Sequence, residues 1–157
     1  MLALNSPVIQ QGFFYAGNGS VHGESRAWGA VESGAVIGPD ALVHAIREIE
    51  KLNAEGVQRG DAPTKLAQER ANRLLYEAQM ERPIYVTPSA VEASEGDLLI
   101  HWDTSIKSVV LICPASTAKP AQIYMEVLDG KRAVHSEMVE ASPHALSDAL
   151  AWVLRAR

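Results

Sequence analysis

Gly96-Asp97-Leu98-Leu99-Ile100-His101-Trp102-Asp103-Thr104-Ser105-Ile106-Lys107-Ser108-Val109-Val110-Leu111-Ile112-Cys113 is the stretch that decides the fold. Two runs rich in β-branched and aliphatic residues flank a short polar turn, the pattern of an antiparallel hairpin. After Pro114 to Pro120 the pattern repeats, Ala121 to Leu128 and Lys131 to Val139. Between them Asp129-Gly130 supplies the positive φ values that a two-residue hairpin loop needs. Residues 96 to 140 therefore predict a four-stranded antiparallel meander.

Working outward, Gly38-Pro39-Asp40 opens a helix in which Leu42, Ile46, Ile49 and Leu52 recur at helical spacing, with Gly56 as its stop. Val57 to Ala62 reads as a linker. Pro63 begins a second helix carrying the apolar stripe Leu66, Ala67, Ala71, Leu74, Leu75 and Ala78, with charges opposite, and Pro83 ends it. Ile84-Tyr85-Val86 is a short extended piece. Ser142-Pro143 caps a closing helix with Ala145, Leu146, Ala149, Leu150, Val153 and Leu154 inward. The expected fold is α+β: the four-stranded meander with an N-terminal αα-hairpin and a C-terminal helix packed on one face. One domain over residues 1 to 157 is expected. It comprises a Gly-rich aromatic arm (1–38), the helical hairpin (39–82) and the sheet with its closing helix (83–157).

Composition narrows the function classes. At 157 residues, 47% apolar and 21% charged, the chain suits one ordinary globular core. A formal charge of −5 argues against a nucleic-acid partner, which needs a basic face. Lys65, Arg70 and Arg73 are the only clustered bases, and glutamates interleave them. A single cysteine, Cys113, leaves no internal disulfide and points to a reducing compartment. No apolar run approaches the roughly 18 residues that span a bilayer, so no membrane partner is expected. The opening residues have no basic n-region or long apolar core, so no signal peptide is read and the expected location is cytoplasmic.

Side-chain parity assigns the sheet faces. A three-residue turn at Asp103-Thr104-Ser105 puts Leu98, Ile100, Trp102, Ile106, Val110 and Ile112 on one face. Leu99, Val109 and Leu111 then share the other with His101 and Lys107. Pairing across Asp129-Gly130 sets Val127, Met125 and Ile123 opposite Arg132, Val134 and Ser136. Glu126, Tyr124 and Gln122 face Ala133, His135 and Glu137 on the reverse side. Leu99, Val109 and Leu111 make an outer patch too apolar to stay wet. The arm residues Phe13, Phe14 and Tyr15, half of the six phenylalanines and tyrosines, are its candidate cover or its extension into an interface.

The chemical signals are weak. Residues 17–23 spell a glycine-rich loop, but no helix start follows to hold a phosphate. His101, Tyr124, Glu126, His135 and Glu137 form the only polar gathering on the outer face, an alternative acid–base or metal site. No histidine pair has short metal spacing, so no metal and no cofactor is expected. Cys113 lacks a neighbour that would activate it, and no catalytic residue is assigned. The helical segment, Pro-bounded strand, hairpin and closing helix, Leu66 to Leu154, resemble small bacterial and phage proteins, with no motif that carries a function over. The expectation is a non-enzymatic protein-binding module, its partner another protein or a second copy. A regulatory or neutralising role (antitoxin, immunity or defence) would suit such a chain. The alternative is a small enzyme or metal-binding protein using the face around His101 and His135.

Overall fold

The computed structural model describes residues 40–155, Tyr85 excepted. Phe13, Phe14, Tyr15, Trp28 and the 17–23 loop lie outside the described residues. Within them the chain is α+β, with three helices and five strands. Helix α1 spans Ala41–Arg59 and α2 Lys65–Glu81. Strands β1 (Ala90–Ser94), β2 (Asp97–Asp103), β3 (Lys107–Cys113), β4 (Gln122–Asp129) and β5 (Arg132–Glu140) follow, and α3 (Pro143–Leu154) closes the order. The sheet is an antiparallel meander in the order β1-β2-β3-β4-β5.

The sheet thus has one strand more than the expected four. β1 carries Ala90-Val91-Glu92-Ala93-Ser94, too short and polar to stand out, and pairs with β2 from Ala90–His101 to Ser94–Asp97. Its turn uses Glu95 and Gly96, both at positive φ (52° and 86°), the type I′ geometry that suits the strand twist.

Helix α3 starts at its expected cap, and α2 starts at Lys65, two residues after the expected Pro63, with Thr64 as its cap. Thr64 Oγ1 accepts from Ala67 N at 3.3 Å and Ser142 Oγ from Ala145 N at 3.1 Å, each satisfying one orphan amide of a first turn. Helix α1, however, runs past Gly56 and ends where Gly60, at φ 79°, donates back to Gly56 O. Gly56 has a different role: a Cβ there would come within 2.6 Å of Ala62 Cα, so only glycine lets the returning chain pass so close.

All three helices contribute to one core cluster with the same sheet face. Ile49, Leu75 and Leu146 join Leu98, Ile100, Trp102, Val109, Leu111, Cys113 and Ile123 there. Val109 and Leu111 are fully buried beneath the helices, not on the outer face that the parity argument gave them. The β2–β3 turn is the cause. Thr104 N donates to Lys107 O (2.8 Å) and Lys107 N to Thr104 Oγ1 (2.9 Å), closing a longer loop whose last pair is Asp103–Ser108. An odd shift in register exchanges every side chain of β3 between faces. Leu99 therefore shares its face with Val110 and Ile112, outside the core cluster.

The same shift takes Lys107 to the helix side, where it is 7% exposed. Its Nζ donates to Trp152 O (3.0 Å) and Arg155 O (2.6 Å) and lies 4.9 Å from the centre of the Trp152 ring. A buried ammonium is tolerable because the carbonyls ending α3, at the negative pole of its dipole, need donors. Arg70 does related work across the fold. Its Nη1 donates to Pro114 O, Ser116 O and Lys119 O, fastening the β3–β4 loop to α2.

Candidate interaction surface

Among the described residues strand β5 is the last strand of the sheet, and its outer side is an edge. Eight of its nine residues are exposed, which sets it apart from β2 and β3. Two large apolar side chains stand in the open there, Val134 at 57% and Met138 at 41%.

The ladder shows which backbone groups the edge offers. Ala141 N donates to Ala121 O at 2.8 Å, in register with the pairs Ile123–Val139, Met125–Glu137 and Val127–His135. Hydrogen-bonded pairs alternate along an antiparallel ladder, so His135, Glu137 and Val139 bond inward to β4. Ser136, Met138 and Glu140 then direct N–H and C=O outward.

The register breaks between Val127 and Leu128, since Leu128 faces Ala133 while Val127 faces His135. Val134 is the extra residue of a β-bulge, which bends an edge and increases its twist. The bulge and a two-residue loop one place later than predicted shift the hairpin. His135 and Glu137 come to the helix side with Val127 and Met125, and Ser136 and Met138 go to the outer face with Tyr124.

A cleft of about 500 Å³ lies between this hairpin and α3. Met125, Val139, Ala149 and Trp152 form its apolar floor, and His135, Glu137, Asp148 and Arg155 its charged border. Asp148 is held from outside by Arg82 at 3.3 Å and His144 Nε2 at 3.3 Å. Sequence reasoning missed Asp148, Trp152 and Arg155 because they enter the cleft from α3.

The proposed polar gathering is divided between two faces. His101, Tyr124 and Glu126 occupy the outer face, while His135 and Glu137 line the cleft on the other. His101 Nε2 is buried without a hydrogen-bond partner, and Glu92 Oε2, at 3.7 Å, is beyond hydrogen-bond reach. Tyr124 donates to Glu126 Oε2 at 2.9 Å. Burial first, then the bond to and charge of Glu126, raise its phenol above the ordinary range, with a Ser136 hydrogen bond opposing. Beside them Asp103 accepts from Ser108 Oγ and from Ser89 Oγ, both at 2.6 Å. Among the described residues no three histidine, cysteine or acidic side chains sit close enough to hold a metal.

Of the proposed binding patch, Leu99 remains on the outer face but is only 5% exposed, and Val109 and Leu111 are in the core. Phe13, Phe14 and Tyr15 lie outside the described residues. Cys113 is buried, and that burial pushes its thiol up to about 12, far from the thiolate a nucleophile needs. No helix among the described residues is long and apolar enough to cross a membrane. No protein-family model matches the chain, and neither a curated protein nor a solved structure matches it.

Proposed function

We propose that this protein is a non-enzymatic binding module that takes an extended segment of a protein partner as an added strand on β5. The supporting observation is the nine-residue edge strand, eight of its residues exposed, with outward backbone groups at Ser136, Met138 and Glu140. Strand addition draws affinity from main-chain hydrogen bonds and specificity from neighbouring side-chain pockets. The cleft against α3 is such a pocket, with an apolar floor and a charged border. An acid–base pair of His101 and His135 has no comparable support, because the register sets the two on opposite faces.

Ser136→Pro tests the reading. Proline removes the outward N–H at the middle of the edge, while the inward ladder is carried by residues 135, 137 and 139. Wild-type and variant chains are immobilised and exposed to an extract of the native host. A protein retained by the wild type and lost with the variant supports strand addition. Equal retention by both, with the variant shown to be folded by circular dichroism, removes it.

A further inference from the structure

We infer that the strand taken up by β5 is a cationic one, running antiparallel with the pattern base, apolar, apolar, base, small hydroxyl. The inference rests on the strand-addition reading and names the chemistry of its partner. It comes from Ser136-Glu137-Met138-Val139-Glu140, taken one face at a time.

The bulge at Val134 sets the limit of the site. Beyond it Arg132 stands opposite Asp129, and the parity of the strand is reversed. From Ser136 to Glu140 the ladder to β4 is unbroken, from Glu126–Ser136 to Gln122–Glu140. There Ser136, Met138 and Glu140 belong to the outer face, and Glu137 and Val139 to the helix side. One carboxylate thus stands on each face of the open stretch, with no base between them. Neither Glu137 nor Glu140 forms an ion pair among the described residues.

The surroundings agree. Read across the register, the outer face carries Glu92, Asp97, Asp103, Glu126 and Glu140 and, among the described strands, neither lysine nor arginine. The chain as a whole has a formal charge of −5. Such a field draws in a cationic segment and turns away an acidic one.

An antiparallel newcomer meets the edge position by position. Its residues facing Ser136, Met138 and Glu140 exchange both main-chain bonds and lie on the outer face. A base facing Glu140, an aliphatic facing Met138 and a threonine facing Ser136 are the favoured cross-strand pairs there. On the helix side an aliphatic stands against Val139 and a base against Glu137. These pairs are the non-hydrogen-bonded kind, whose side chains lie closer. Glu137 is on the border of the cleft, so the stem of that base leans toward the apolar floor of Met125 and Trp152. Met138, 41% exposed, gains a cover in the same step.

The probe is a fluorescein-labelled peptide, Gly-Ser-Arg-Val-Ile-Arg-Thr-Gly, read by fluorescence anisotropy against the full-length chain in dilute salt, where exposed pairs are least screened. Its acidic counterpart has glutamate for both arginines. The basic peptide should bind, and the acidic one about tenfold more weakly. Glu140→Lys should weaken the basic peptide roughly fivefold, and so should Glu137→Lys. A cycle then resolves the pairing. A peptide with glutamate for its first arginine should regain affinity with Glu140→Lys and not with Glu137→Lys. Both variants alter exposed side chains, and circular dichroism checks their fold.

Equal affinity for the two peptides, rescue by the wrong variant, or no binding of either peptide overturns the inference. So does a chain that self-associates through the edge and excludes the peptide. These failures differ from failure of the parent reading. If strand addition holds but the cationic preference does not, Ser136→Pro still abolishes capture from the extract. If strand addition fails, Ser136→Pro changes neither capture nor peptide binding.

Discussion

Cys113 and Lys107 each place an ionisable group in an apolar layer, and the structure treats them in opposite ways. Lys107 keeps its charge because the end of α3 offers two carbonyls and an aromatic face. Cys113 stays neutral. Desolvation by burial raises its thiol from 9.0 to about 12, with Arg70 pulling the other way and Asp97 adding to the rise. Because the folded value lies above the unfolded one, the linked stability is complete below about pH 9 and is lost as pH rises toward 12. Denaturant melts of wild type and Cys113→Ala should therefore differ by a constant amount up to pH 9. Above it the wild-type advantage should shrink. A difference that stays flat through this window, or rapid labelling of the native thiol at neutral pH, would show that Cys113 is not shielded as the structure has it.

Helix α1 shows how an element is shaped by what it must let past. Its interior glycine, Gly56, weakens the helix by about 1 kcal/mol relative to alanine. The chain leaving the helix returns so closely that a Cβ would meet Ala62 Cα at 2.6 Å and Ala62 N at 2.8 Å. These are backbone atoms, tied to the buried Pro63 and the start of α2, so they have no side-chain freedom with which to yield. Overpacking of this kind costs roughly 1–3 kcal/mol and outweighs the gain in propensity. Gly56→Ala should lower the unfolding free energy by about 1–2 kcal/mol. A stabilised variant would mean that the α1–α2 linker moves aside freely.

At the scale of the whole molecule the two sides of the sheet differ in kind. One side, covered by α1, α2 and α3, holds the continuous core. The other carries Leu99, Val110 and the polar row Asp103, Ser108, Glu126. Assembly through β5 would leave that core untouched and change only the edge. Amide hydrogen exchange reads the distinction directly. The amides of residues 137 and 139, bonded to β4, should be slow at any concentration. Those of Ser136, Met138 and Glu140, directed to the open edge, should exchange quickly. Uniform protection at all dilutions would place another element of the chain over the edge.

Much of the architecture was legible along the chain. The α3 start at Ser142, the meander order and the inward Leu98, Ile100 and Trp102 follow from local chemistry: caps, turns and periodicity act over a few residues. The face assignments of β3 and β5 were not legible in the same way. They hang on whether a turn holds an odd or even number of residues and on one unpaired Val134. A hydroxyl of Thr104 and the twist of an edge strand settle such parity, and a single step reverses a whole strand. The cleft was still less visible, since it joins His135 and Glu137 to Asp148, Trp152 and Arg155 across an αβ packing that no spacing encodes. The charge order of β5 was written in the sequence from the outset. Only the sheet order made it an edge, because an edge is defined by the absence of a neighbouring strand, and strand neighbours are a property of the folded chain.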